Sequence, residues 1–237
     1  MTLLHRLRKT LIDTSGYWFY KRKHLPIGAD FLEDVKNRLD FPLNVIFDVG
    51  ANYGQTAEYY SKSFPDAKIY SFEPVKSSFE KLTANTKNLL NVAVFQNAFG
   101  NAEKTVEIAL FDENQSQLNS LKESSNKADA VKETIRVTTI DSFLKSEGIA
   151  AIDLLKIDTE GYEVEVLTGA FSSIRAGKIK LVLCEVALSA VNQKNTPICS
   201  VIEFLLGNSY TLLGLYDTNI NYLKEGLAYS NALFVKN

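Results

Sequence analysis

The sequence contains few of the residues that build disulfide frameworks or zinc sites. Of its 237 residues, two are cysteines and two are histidines. Cys184 and Cys199 are too few for a disulfide framework, and Cys184 lies in an apolar run, which favours a reducing, cytoplasmic setting. His5 and His24 both lie near the N-terminus, away from the charged segments described below. This position argues against a zinc centre or a histidine base.

Long apolar runs and a strong excess of one charge are also missing. No stretch reaches the roughly 18 apolar residues of a transmembrane helix, so none is predicted. The net charge of −2 argues against the broad basic face that nucleic-acid binding requires. The hydrophobic content of 46% and the charged content of 23% are typical of a globular domain. The composition therefore argues against a nucleic-acid partner and leaves a small molecule as the expected one.

Short apolar segments alternate with helical patterns along the chain. Five runs rich in β-branched and aromatic residues predict parallel strands, namely 45–47, 68–72, 92–96, 152–157 and 179–186. Helical spacings between them indicate βαβ units, and therefore a Rossmann-like α/β fold with a doubly wound, mostly parallel sheet. The runs 210–216 and 232–235 follow a predicted helix at 197–206 and predict an antiparallel hairpin at the sheet edge.

Two segments fall outside this alternation. Residues 1–40 predict a helical N-terminal extension to a domain at 41–237, because Phe31, Val35 and Leu39 share one helical face. The basic and aromatic start of this extension suits weak contact with a membrane surface, packing on the domain, or a homodimer contact. The polar segment 112–133 lies between runs that predict an inserted strand pair. It is either a lid or a segment without regular structure.

A predicted strand, a tight turn and a helix span residues 45 to 56. Asp48, Gly50 and Gly54 form the pattern D-x-G-x-x-x-G, and Asn52 replaces the middle glycine of the dinucleotide fingerprint. Gly50 lets the chain reverse, and Gly54 lets the helix approach a ligand closely. The carboxylate of Asp48 suits the ammonium group of a methionine-type amino acid. The pattern therefore favours S-adenosylmethionine over a dinucleotide.

The second and third predicted strands extend the cofactor site. Glu73 lies about 20 residues past the glycine turn, where an acidic side chain accepts hydrogen bonds from ribose hydroxyls. Its alternative role is to complement the dipole of the following helix. The third strand is expected to end at Asn97 and Ala98, beside a nucleoside base. The predicted cofactor-binding residues are Asp48, Gly50, Asn52, Tyr53, Gly54, Thr56, Glu73, Asn97 and Ala98.

Charged residues lie at the ends of the fourth and fifth predicted strands. Lys156, Asp158 and Glu160 alternate, so they share one face if the strand continues, and Glu185 ends the neighbouring strand. Ligands bind at the carboxyl ends of such strands, so these four residues are the predicted catalytic set. Carboxylates near a sulfonium favour a hydroxyl acceptor, because an alcohol is a poor nucleophile until a base takes its proton.

Structural roles and other functions stay open for the same residues. Lys156 and Asp158 can form a structural ion pair, while Glu160 and Glu163 can cap the following helix. Asp158, Glu160 and Glu185 also offer the hard oxygen ligands that divalent cations prefer, although we assign no metal ligand from the sequence. The alternative functions are an NAD-type oxidoreductase and an inactive cofactor-binding scaffold.

Several of these segments resemble the FkbM-type methyltransferases. The resemblance covers roughly residues 44–190 and is carried by the segments 48–54, 72–74, 97–98, 137–141 and 155–163. It implies a class I S-adenosylmethionine-dependent fold and O-methylation of sugars, polyketides or related natural products. Asn119-Ser120-Leu121 also matches a family pattern, which favours a lid. Asp141 recurs in the family, although we interpret it as the N-cap of a helix at 142–146.

Overall fold

A seven-stranded sheet forms the centre of the protein. The computed structural model describes residues 3–17, 20–21, 24–39, 41–109, 132–219 and 228–237. The strands of this sheet are β1 (Val45–Val49), β2 (Lys68–Phe72), β3 (Val92–Phe95), β7 (Ile152–Ile157), β8 (Ile179–Ala187), β9 (Tyr210–Asn219) and β10 (Tyr229–Lys236). Their order across the sheet is β3-β2-β1-β7-β8-β10-β9. Only β10 runs antiparallel to its neighbours β8 and β9. The predicted doubly wound sheet with an antiparallel edge is confirmed.

Helices cover both faces of this sheet. The helices of the described ranges are α1 (Leu3–Ser15), α2 (Phe31–Arg38), α3 (Gln55–Ser63), α4 (Lys76–Thr86), α5 (Ile140–Glu147), α6 (Glu163–Gly169), α7 (Phe171–Arg175) and α8 (Ile198–Leu206), of which α1 does not pack on the sheet. Apolar residues of α5 to α8 pack on one face, and apolar residues of α2 and α3 pack on the other. Every residue of β7 is buried, as expected for a parallel strand covered on both sides.

Asn97 and Ala98 do not end the third strand as predicted. Strand β3 stops at Phe95, and Ala98–Phe99 forms a separate short strand, β4. This strand pairs with β6 (Lys132–Thr138), which also pairs antiparallel with β5 (Lys104–Ala109) in a second, three-stranded sheet. The insert therefore builds its own small sheet at the edge of the domain. Residues 112–131 of the proposed lid, including Asn119, lie outside the described residues.

The segment before β1 is anchored through α2. Asp30 caps this helix by accepting a hydrogen bond from the Glu33 amide at 2.9 Å. The buried carboxylate of Asp34 accepts hydrogen bonds from the Gly28 amide and the Tyr216 hydroxyl, each at 2.8 Å. By contrast, α1 contains no buried residue. No helix in the described ranges is long and apolar enough to cross a membrane.

Asp141 is not the N-cap of the helix that follows it, so that interpretation is wrong. Thr139 takes this role in α5, accepting from the Ser142 amide at 3.1 Å. The carboxylate of Asp141 instead accepts hydrogen bonds from the amides of Ser172 and Ser173, at 2.8 and 3.0 Å. It therefore satisfies the start of α7, a contact between segments about 30 residues apart that the local pattern could not reveal.

Candidate active site

The glycine turn after β1 lies directly against the loop that follows β7. Gly50 has a φ of +82°, and its amide and that of Ala51 each donate to the Phe72 carbonyl at 3.0 Å. A Cβ at Gly50 would lie 1.8 Å from the backbone oxygen of Asp158. Only glycine fits here, because the backbone conformation and the space both exclude a side chain. The turn and the charged strand end therefore share one edge of the sheet.

Gly54 is required by packing against the protein itself. Its φ is +93°, and a Cβ would lie 2.9 Å from Leu82 and 3.1 Å from Thr86, both in α4. The predicted reason, close approach to a ligand, is not needed to explain this glycine. Tyr53 also faces α4, where the Lys81 ammonium lies 4.6 Å from the centre of its ring.

Glu73 holds the glycine turn through its carboxylate. One oxygen accepts a hydrogen bond from the Asn52 amide at 3.0 Å, and the other accepts from the Val75 amide at 2.9 Å. Asn52 itself adopts a φ of +47°, a left-handed conformation that asparagine tolerates. Burial raises the pKa of Glu73 to about 7. The side chain of Glu73 thus stabilises the turn, whether or not it also binds a ligand.

A buried ion triad lies across the boundary between β1 and β7. The ammonium of Lys156 lies 3.4 Å from Asp48 and 3.1 Å from Asp158. Asp48 is completely buried, and Asp158 is 28% exposed. Burial opposes the charge on Lys156, but the carboxylates of Asp158 and Asp48 raise its pKa. Burial raises the pKa of Asp48, which Lys156 partly offsets. In α/β sheets ligands bind at this kind of boundary, where the strand order reverses.

A second group of charges lies beside Asp158. Lys194 pairs with Glu160 at 2.9 Å, and the Asn195 amide donates to Glu185 at 2.6 Å. Burial raises the pKa of Glu160 to about 8 and that of Glu185 to about 7, and in both cases the charge of Asp158 contributes. Burial thus raises the pKa of both carboxyl groups, and the Lys194 ammonium partly offsets this rise.

Glu160 reaches this group by a different route from the predicted one. Strand β7 ends at Ile157, so the alternation that would place Glu160 on the face of Lys156 and Asp158 does not continue. Glu160 instead has a φ of +54°, within a tight bend completed by Gly161. A left-handed conformation costs a non-glycine residue about 1–2 kcal/mol. This strained bend is stabilised by Glu163.

Glu163 has a structural role, but neither Glu163 nor Glu160 caps the following helix, because the N-cap of α6 is Tyr162 and no side chain accepts a hydrogen bond there. One of its oxygens accepts hydrogen bonds from the amides of Thr159 and Gly161, at 3.0 and 3.1 Å. The other accepts from the amide and hydroxyl of Thr196. Glu163 therefore joins the loop after β7 to the segment that carries Lys194.

Asn97 lies near the carboxyl ends of β2 and β3, whereas Ala98 is buried in the second sheet. The side-chain nitrogen Nδ2 of Asn97 is buried and has no hydrogen-bond partner among the described residues. Ala98 packs in a small apolar cluster with Val75 and Val137. A ligand contact is therefore open to the side chain of Asn97, while the side chain of Ala98 is occupied in packing.

A cavity of about 490 Å³ opens beside Lys156 on the face covered by α2 and α3. Aromatic side chains form much of its wall, and carboxylates and amides complete it. Lining residues include Phe31, Thr56, Tyr59, Lys156, Tyr216, Asp217 and Asn231. Burial, with the nearby charges of Asp30 and Asp217, raises the pKa of Tyr59. The cavity therefore combines aromatic side chains with the carboxylates of Asp30 and Asp217.

Sequence reasoning missed Lys194, Asn195 and the aromatic wall of the cavity. Lys194 and Asn195 lie in a polar run after β8, and this position at the carboxyl edge of the sheet was the available signal. Within the described ranges, no group of three or more His, Cys, Asp or Glu side chains is arranged to hold a metal ion.

Comparison with known proteins identifies the family. Residues 48–212 match the model of the Methyltransferase FkbM domain. Methyltransferase sdnD of Sordaria araneosa is 28% identical over 60% of this chain and 66% of its own length. Hexuronic acid methyltransferase AglP of Haloferax volcanii is 26% identical over 60% of this chain and 56% of its own length. The matches thus span between half and two thirds of these relatives.

Structural comparison agrees on the fold. The METTL16 MTase domain superposes with a TM-score of 0.51 at 13% identity, over 87% of this chain and 64% of that one. The family match supports S-adenosylmethionine as the cofactor, as predicted, and a methyltransferase rather than an NAD-type oxidoreductase. Because the family model covers most of the sequence, the chain belongs to the FkbM methyltransferase family.

Proposed function

We propose that the protein is an S-adenosylmethionine-dependent O-methyltransferase that acts on a hydroxyl of a sugar, glycan or related natural product. The observation that carries this proposal is the direct contact between the glycine turn and the loop that bears Asp158. A cofactor at the turn would meet an acceptor at the ion triad without crossing the sheet.

The residues around the turn fit S-adenosylmethionine. Asp48 is paired with the Lys156 ammonium at 3.4 Å, but its two buried oxygens accept no hydrogen bond of good geometry within the described part of the chain. The buried side-chain nitrogen Nδ2 of Asn97 donates none there either. Buried polar atoms normally have hydrogen-bond partners, so both side chains can receive a further group from a bound ligand. The ammonium of an amino acid suits the Asp48 carboxylate, and a nitrogen of a nucleobase suits the side chain of Asn97. Glu73 would receive the ribose hydroxyls while it holds Asn52 in place.

The chemistry supplied by the cofactor is an electrophilic methyl group on a sulfonium. The protein must then orient a hydroxyl oxygen and accept its proton. We assign the orienting role to Asp158, whose position Lys156 fixes at 3.1 Å. We assign the role of proton acceptor to Glu185. A base with a pKa near the working pH is the most effective, and burial raises the pKa of Glu185 to about 7. Glu160 and Lys194 would hold the acceptor from the other side.

The cavity beside Lys156 suits the acceptor. Phe31, Tyr59 and Tyr216 offer flat apolar faces for a sugar ring, and Asp217 and Asn231 offer partners for its hydroxyls. A hexuronic acid is the acceptor in the name of one relative. Here the carboxylates of Asp30 and Asp217 favour a neutral or cationic acceptor instead, because like charges repel.

Two measurements test the proposal. Calorimetric titration should give saturable binding of S-adenosylmethionine and none of NAD. Release of S-adenosylhomocysteine, measured across a panel of neutral, amino and acidic sugars and their glycosides, should identify acceptors among the neutral or amino members. Binding of NAD alone would overturn the cofactor assignment, and turnover only with non-hydroxyl acceptors would overturn O-methylation.

A further inference from the structure

Helix α1 carries an apolar stripe that nothing in the described chain covers. Leu3, Leu4, Leu7 and Leu11 are each more than half exposed, at 75%, 77%, 53% and 53%. At 3.6 residues per turn, these four leucines fall within an arc of roughly 100°. A helix of 13 residues is marginal in water without packing of such a face. The leucine stripe is therefore expected to pack against another surface.

Basic residues border this stripe on both sides. Arg6 follows one edge of the leucine arc and Arg8 follows the other, while Lys9 lies on the opposite face. The Arg8 guanidinium also lies 5.3 Å from the ring centre of Tyr20, so an aromatic group is held beside the helix. The first 24 residues contain six Lys or Arg and a single Asp, although the whole chain has a net charge of −2. Positive charge is therefore concentrated where the apolar stripe is.

From this arrangement we infer that α1 binds the surface of an anionic membrane, with its leucines among the acyl chains and its arginines at the lipid phosphates. Amphipathic helices with a basic polar face lie in the membrane interface in this way. Pairing of two copies through the leucine stripe would bring the flanking arginines of both chains together, which their repulsion disfavours. Lipid phosphates neutralise the same arginines. The inference does not depend on the proposed catalytic function.

Vesicle co-sedimentation of the full chain tests this inference. We expect binding to phosphatidylcholine vesicles that contain phosphatidylglycerol, and at least tenfold weaker binding to phosphatidylcholine alone. Each basic residue near an anionic surface contributes to the free energy of vesicle binding. Arg6→Gln with Arg8→Gln should therefore weaken binding roughly thirtyfold. Leu7→Ser with Leu11→Ser should weaken it at least tenfold. Added salt should also weaken binding.

Matched leucine controls separate the stripe from general hydrophobicity. Leu90 and Leu206 are exposed elsewhere, at 102% and 51%, so Leu90→Ser with Leu206→Ser should leave vesicle binding unchanged. Because α1 buries nothing, its variants should melt at the wild-type temperature. Equal binding to both vesicle types, or equal loss in the control, would overturn the inference. A dimer in light scattering that the Leu7 and Leu11 changes dissociate, without vesicle binding, would assign the stripe to a second copy instead.

Discussion

Removing the Lys156 ammonium should destabilise the protein strongly and in a pH-dependent way. Lys156→Met keeps the volume of the side chain but leaves the completely buried Asp48 carboxylate without its cation at 3.4 Å. Removing one partner of a buried ion pair typically costs about 3–5 kcal/mol. For a domain of this size, each kcal/mol lowers the melting temperature by about 2–4 °C, so we expect a decrease of roughly 6–20 °C.

The sign of the pH dependence follows from Asp48. Without Lys156, burial raises the pKa of this carboxyl further above its ordinary value, so the folded state binds a proton that the unfolded state releases. Stability of the variant therefore falls as the pH rises from about 4 through the folded pKa. The loss relative to wild type should be larger at pH 8 than at pH 5.

Urea unfolding at both pH values measures this effect. Lys156→Met with Asp48→Asn should recover most of the loss, because the buried charge is then gone. Lys180→Met is the matched control, since Lys180 also pairs with an aspartate, Asp153 at 2.7 Å, but is 40% exposed. It should cost less than about 1 kcal/mol. An equal loss at both pH values, or a further loss on adding Asp48→Asn, would refute the reasoning.

Three further predictions concern single residues. In the wild-type protein the rate of methyl transfer should rise through about pH 7, and Glu185→Gln should abolish this rise while it keeps the cofactor affinity. A pH–rate profile of the variant that retains the rise would show that Glu185 is not the base. Gly50→Ala should yield little folded protein, because its Cβ would meet the Asp158 oxygen at 1.8 Å, and a near-wild-type melting curve would contradict this. Asp141→Ala should cost about 0.5–2 kcal/mol in urea unfolding through loss of its contacts with α7, with turnover unchanged; unchanged stability would show that these contacts contribute nothing.

The main sheet could be predicted because its strands carry their own pattern. The predicted runs 68–72 and 152–157 match β2 and β7 residue for residue, since both strands are rich in apolar residues and, apart from Lys68, are buried. The switch to an antiparallel edge followed from the missing helix between the last two runs. The candidate site residues were predicted from the glycine turn and from the charged ends of two strands, and the resemblance to a family supported the cofactor-binding ones.

Contacts between distant segments could not be predicted in the same way. Asp141 serves a helix about 30 residues away, and Lys194 reaches Glu160 across a loop. Glu160 leaves the strand alternation because β7 ends at Ile157, and Glu160 then adopts a left-handed conformation that glutamate rarely adopts. Gly54 was singled out from the sequence, but its close contact with Leu82 and Thr86 of α4 was not predicted. In each case the contact depends on tertiary packing, which a local sequence pattern does not reveal.

The most direct test is the separation of cofactor binding from methyl transfer in Asp158→Asn. With the acceptor identified in the sugar panel, we predict an S-adenosylmethionine affinity within about twofold of wild type. Release of S-adenosylhomocysteine should fall at least about a hundredfold. Glu147→Gln, an exposed carboxylate at the end of α5, should change neither quantity. Wild-type turnover in Asp158→Asn would contradict a single site shared by the glycine turn and the charged end of β7.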